Sequence, residues 1–170
     1  MLRESIIHWL SSNGLPGELV VLIVSTLPIF ELRGGIPVGL LLGLEWWRTY
    51  IMAVLGNLIP VVPILLLLEP VSYWMRRHLK ATDQFFEWLF SRTRRKTEAG
   101  IRKYGIFFGL TLFVAIPLPV TGAWTGCVAA FLFGVKFKYS FPAIILGVLT
   151  ASLVVSMATY GTATVIRLFG

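Results

Sequence analysis

Residues 19–44 are apolar at nearly every position, yet the run PIFELRGGIPVGLLLG at 28–43 sets Glu31, Arg33, Gly34, Gly35 and Pro37 among them. A segment this apolar belongs in lipid. There an ionisable residue costs roughly 2.5–3.5 kcal/mol on insertion scales, so Glu31 and Arg33 are functional candidates. The competing reading is a self-neutralising pair in a bent helix. The glycines permit positive φ, and Pro37 suits the first position of a new helix. The pattern therefore predicts a helix, a break at residues 31–36, and a second helix. A spanning helix needs about 20 residues, so residues 19–30 and 37–44 are each too short. They form either one kinked span or a re-entrant hairpin that turns near the midplane. A hairpin tip with free N–H groups, a glycine pair and an arginine would cradle an anion.

Composition supports the lipid setting. The chain has 170 residues, of which 56% are hydrophobic. That excludes an ordinary soluble domain. The single cysteine, Cys127, excludes an intrachain disulfide and a cysteine metal cluster, and it reads as a small packing residue. The net charge is +7, and nine of the fifteen basic residues lie between Arg76 and Lys103. The positive-inside rule then puts the loop at 76–103 in the cytoplasm. No groove-reading motif accompanies these bases, so nucleic acid is not an expected partner.

Along the chain, residues 2–12 read as an interfacial helix. Glu4 and His8 interrupt any apolar core and argue against a signal peptide. Glu45, Trp46, Trp47 and Arg48 make an interface anchor. Residues 49–68 are long enough to cross, with Asn57 near the middle and Pro60 and Pro63 expected to kink the span. Asn57 reads equally as a helix-bonding amide or as part of a substrate site. Residues 70–103 carry apolar side chains at helical spacing opposite a charged face, an amphipathic cytoplasmic linker. Its RTRRK cluster at 92–96 either draws anionic lipid or forms a solvated turn. Residues 104–134 are again apolar and again broken, at IPLPVTG, 116–122. Lys136 and Lys138 mark an interface, and residues 140–167 cross.

The same order occurs twice: broken segment, interfacial base, full span. Aligning Gly35 on Gly122 puts Gly39 on Gly126 and Gly43 on Ala130, a small residue every fourth position. If both broken segments are re-entrant, the halves are inverted. Eleven bases then lie inside and three outside, with Arg33 in the membrane. The expected fold is an all-α integral membrane protein. It is an inverted repeat in which each half is a re-entrant helical hairpin followed by a transmembrane helix. The expected division of the single membrane domain is 1–17 interfacial helix, 18–69 first repeat, 70–103 linker, and 104–170 second repeat. Inverted repeats with broken helices are characteristic of secondary transporters that bind at the midplane.

The ELRGGIPVG segment at 31–39, the proline-rich second break and the size of the chain resemble the small multidrug export family. That family is itself a distant relative of the DedA superfamily of membrane proteins. The resemblance runs from about Leu19 onward. It implies two facing re-entrant hairpins and a polyprenyl phosphate or phospholipid substrate, with Glu31 and Arg33 matching the charged motif of the first hairpin. Where DedA relatives carry arginines in the second hairpin, this chain has Val114 and Thr121.

The expected function is a transporter or flippase for an amphiphile with an anionic headgroup, with proton coupling through Glu31. The alternative is a small-molecule exporter that uses Glu31 as a proton or cation site. The expected substrate site comprises Glu31, Arg33, Gly34, Gly35, Asn57, Thr121, Gly122 and Thr125. An enzyme is not expected, because His8 and His78 lie outside the spans and no metal set or cofactor motif is present. The expected partners are membrane lipids, anionic headgroups and a second copy of the chain in a dimer. The expected location is the cell inner (plasma) membrane.

Overall fold

The computed structural model describes residues 14–78, 103–117 and 121–169. Among them are seven helices and no strand: α1 Gly17–Thr26, α2 Glu31–Leu41, α3 Trp46–Leu58, α4 Val61–His78, α5 Lys103–Ala115, α6 Ala123–Leu132 and α7 Phe137–Phe169. Two stretches are long and apolar enough to cross a membrane, Trp46–Leu68 and Phe137–Val165, with mean hydropathies of 2.5 and 2.2. A turn at Ile59–Pro60 interrupts the first, where Pro60 has no N–H to continue the ladder. The expected interfacial helix at 2–12 lies outside the described residues, as does the expected basic loop at 76–103 apart from 76–78, which continue α4, and 103, which opens α5.

The first break is not where the glycines suggested. It falls at Leu27–Phe30, and the stretch 31–36 is helical. The cause is Pro28, whose ring pushes the preceding residue out of the helical region. Leu27 sits accordingly at φ −75°, ψ 134°. Glycine merely permits a break, whereas proline enforces one. The second break agrees with the sequence: α5 ends at Ala115 and α6 begins at Ala123.

After its break, α2 folds back along α1. Gly35 lies against Ser25 Oγ, and a methyl group there would come within 3.3 Å of the Val21 carbonyl. The far ends also meet. A methyl at Gly17, where α1 starts, would touch Leu44, just past the end of α2, at 3.3 Å. The pair is therefore a helical hairpin with both ends together. Both α1 and α2 also pack on α3, while α6 packs on α4 and α5.

The second helix of each pair ends alike. Gly43 at φ +72° and Gly134 at φ +62° take the left-handed conformation that glycine adopts without strain. In each cap the next residue reaches back to a small one, Leu44 N to Gly39 O at 3.0 Å and Val135 N to Ala130 O at 2.9 Å. Superposing these caps places Gly35 on Gly126, Gly56 on Gly147 and Trp46 on Phe137. This register is one helical turn away from the sequence alignment. A small residue every fourth position looks the same after a one-turn slip, so the stripe could not fix its own register.

The crowded glycines follow the same spacing. Gly35 and Gly56 both close on Ser25 of α1, and Gly126 and Gly147 both close on Val114 of α5. Among the described residues the chain forms two compact units. One takes the residues up to Pro60 with those from Val148 onward; the other is Val61–Gly147. The first has Val20, Val21, Val24, Ile36 and Ala53 at its centre, the second Val114, Ala123, Cys127, Ala130 and Ile144. Cys127 is buried, with Sγ facing the Val61 carbonyl at 3.9 Å, the packing role expected of it. In the first unit α7 is tied to the α2–α3 region by tyrosines. The Tyr160 hydroxyl reaches Thr49 Oγ1 at 2.8 Å and Leu44 O at 3.2 Å, and the Tyr50 hydroxyl donates to Leu149 O at 3.3 Å. These partners run in opposite order along the two chain segments.

Candidate functional site

The turn of the first hairpin carries the charged pair. Glu31 opens α2 at φ 45°, the one positive φ among the described non-glycine residues. A side chain in that region costs about 1–2 kcal/mol. Strain of this kind persists only where the surroundings impose it, and it clusters at functional sites. The Glu31 N–H donates to Leu27 O at 2.9 Å, which closes the turn. Glu31 is buried, and its Oε2 lies 3.4 Å from Arg33 Nη2. The guanidinium side stays more open, with 31% of the Arg33 side chain exposed against 8% for Glu31. The pair thus presents its cation outward and holds its carboxylate in.

The glycines behind it serve a different end from the one the sequence suggested. The Gly34 N–H donates to Phe30 O at 2.8 Å and is part of the helix, not of an open cradle. A methyl at Gly34 would meet Phe30 Cβ at 2.6 Å. Gly35 lets α2 approach Ser25. Both glycines position the turn, and Arg33 is left as its cationic group.

The same unit buries further polar side chains. Asn57 is 1% exposed and Ser25 is fully buried. Among the described residues, Asn57 Oδ1, Ser25 Oγ and Ser156 Oγ have no hydrogen-bond partner. The Asn57 oxygen does not make the interhelical bond expected of a buried amide. Leaving such a group unpaired costs about 1–3 kcal/mol, and each such group needs an explanation. Beside them Thr26 Oγ1 lies 3.0 Å from both Leu22 O and Gly56 O. Sequence reasoning passed over Ser25. A lone serine inside an apolar helix reads as packing, and only the folded-back α2 shows it buried against two glycines.

In the second unit, Thr121, Gly122 and Thr125 gather at the start of α6. Thr121 Oγ1 bonds Ile116 O, bracing the two ends of the break. Thr125 Oγ1 bonds Gly122 O at 3.3 Å, and Gly126 N reaches the same carbonyl at 2.8 Å. The structure therefore joins Glu31 to Arg33 by contact, places Gly35 against Ser25, which also lies against Gly56, the residue before Asn57, and groups the two threonines with Gly122. No group of three His, Cys, Asp or Glu able to hold a metal occurs among the described residues.

The profile of a family described as "Putative small multi-drug export protein" matches residues 31–154, beginning at Glu31 itself. The chain belongs to this family. The match spans the charged turn, both candidate spans in large part, and the second break. Membership of this family makes the chain a membrane protein of the exporter class. No curated protein and no solved structure is significantly similar to it.

Proposed function

We infer that this family member moves an amphiphile with an anionic headgroup, a polyprenyl phosphate or phospholipid, across the inner membrane. In this reading Arg33 holds the headgroup and Glu31 gates it with a proton. The carrying observation is the Glu31–Arg33 pair at the turn of a hairpin whose two ends meet. At about 1.5 Å per residue, helices of 10 and 11 residues reach roughly half of a 30 Å hydrocarbon core. The mouth of the hairpin bears Trp46, Trp47 and the cluster in which Arg48 pairs with Glu18 at 3.3 Å and Glu45 at 3.1 Å. That set suits headgroup level. The tip then lies near the midplane, and the hairpin is re-entrant. The shared glycine caps and the opposite order of partners along the tyrosine-linked segments support an inverted second half. The basic loop then faces the cytoplasm.

Arginine suits the role because its planar fork pairs with two phosphate oxygens, whereas lysine offers a point charge. An ionised Glu31 competes for Arg33 and releases the headgroup; a protonated one leaves Arg33 to it. The unpaired oxygens of Ser25, Asn57 and Ser156 give the same unit polar groups for a proton or water path. In proteoliposomes loaded with a lipid phosphate, Arg33→Lys loses most binding and transport. Glu31→Gln still binds but loses the pH dependence of transport. Full activity of Arg33→Lys, or an unchanged pH profile for Glu31→Gln, places the site elsewhere.

The family description favours a second reading, export of small drugs with Glu31 as cation site. Transport of a cationic dye that survives Arg33→Gln and vanishes with Glu31→Gln distinguishes it.

A further inference from the structure

A cavity of about 240 Å³ opens in the second unit. It is lined by Ile106 and Phe107 near the start of α5 and by Phe133, Lys136, Lys138 and Tyr139 around the α6–α7 turn. The apolar span of α7 begins at Phe137, so the cavity lies where hydrocarbon gives way to headgroups. Its lining combines aromatic and aliphatic residues with two lysines. The Lys138 Nζ sits 5.1 Å from the Tyr139 ring centroid.

The matching turn of the first half shows what is missing here. Superposing Gly43 on Gly134 places Glu45 on Lys136, Trp47 on Lys138 and Arg48 on Tyr139. The first turn is internally neutralised, since Arg48 is paired with both Glu45 and Glu18. Among the described residues, no carboxylate lies within ion-pair distance of Lys136 or Lys138. Nor does the first turn of α7 contain an acid. Two cations at the positive end of a 33-residue helix repel its dipole. Position for position, a base stands where the first turn has an acid, beside an open and mostly apolar cavity.

We propose that this cavity is a docking site for an anionic phospholipid, its phosphate between Lys136 and Lys138 and its acyl chains along Phe107 and Phe133. The occupant is a membrane lipid and not a soluble phosphate, because most of the lining is apolar and the site sits at the start of the apolar span of α7. None of its lining residues belongs to the Arg33 turn, and the site stands or falls without that reading.

Native mass spectrometry of the full chain, purified in detergent, tests this with phosphatidylglycerol and phosphatidylcholine of matched acyl chains. The wild type retains phosphatidylglycerol in preference. Lys136→Gln with Lys138→Gln weakens that retention about tenfold, and Lys136→Arg with Lys138→Arg keeps it. Ile106→Trp, which fills the cavity and leaves both lysines, also loses it. Arg48→Gln, on the matching turn, changes nothing. Equal retention of the two lipids, undiminished retention by the double glutamine variant, or displacement by millimolar inorganic phosphate overturns the proposal. Because the readout is binding, a failure of the transport reading leaves this result intact.

Discussion

Glu31 combines three properties that rarely meet in one residue: positive φ, burial, and an ion pair two residues along the chain. Its neighbours Gly34 and Gly35 would bear the same φ without strain, yet both are ordinary helical residues packed against Phe30 and Ser25. Two substitutions separate the contributions. Glu31→Gln keeps the strain and loses the charge; Glu31→Gly loses both. The glycine variant should therefore be the more stable of the two by about 1 kcal/mol, measured as thermal unfolding in detergent, while neither retains pH-dependent transport. Equal stabilities would mean that the turn relaxes around any residue at this position. The charged pair was legible in the sequence because acids and bases are rare in apolar segments. Ser25 was not, since its significance comes from what α2 brings against it.

At the level of the helix, close approach is the organising device, and glycines fall into two classes. A methyl at Gly147 would meet the Thr111 carbonyl at 2.9 Å, and one at Gly56 would meet the Leu22 carbonyl more closely still. Backbone cannot swing aside as a side chain can. Alanine at either position should cost on the order of 1–3 kcal/mol through overpacking. Gly109 and Gly161 have nothing within 4 Å. Alanine there should be neutral or gain up to about 1 kcal/mol from helix propensity. Parallel thermal melts of the four variants check the division; indistinguishable melts would remove the close-contact role. The sequence showed a small-residue stripe but not which glycines were crowded, because the one-turn ambiguity is resolved only by the caps at Gly43 and Gly134. It also misplaced the first break. Pro28 was visible, but it was given less weight than a glycine pair that turned out to be helical.

On the scale of the molecule, the hairpin geometry makes a claim about sidedness. Gly17 and Leu44 are in contact range, so under the proposed re-entrant arrangement residues on either side of the first hairpin open to the same face of the membrane. In a Cys127→Ala background, Leu19→Cys and Leu44→Cys should label with an impermeant thiol reagent from the same side. Labelling from opposite sides would replace the re-entrant hairpin with a full crossing. The all-helical architecture and two spans were readable from apolar run lengths alone. The division into units was not, because neither long stretch stays within one of them: Trp46–Leu68 and Phe137–Val165 each pass from one to the other.

That sharing sets an order of events during synthesis. The Thr49 hydroxyl emerges early, and Tyr160, which bonds it, follows 111 residues later. At translation rates of about 5–20 residues per second, the wait is on the order of 5–20 s. Throughout it the first hairpin is in place without the wall that α7 supplies. Val61–Gly147 needs no later segment to complete its own contacts. The unit begun first is thus the one finished last, and the insertion machinery must hold a partly built helix cluster, with the buried Thr49 hydroxyl unmet, until the tyrosine arrives.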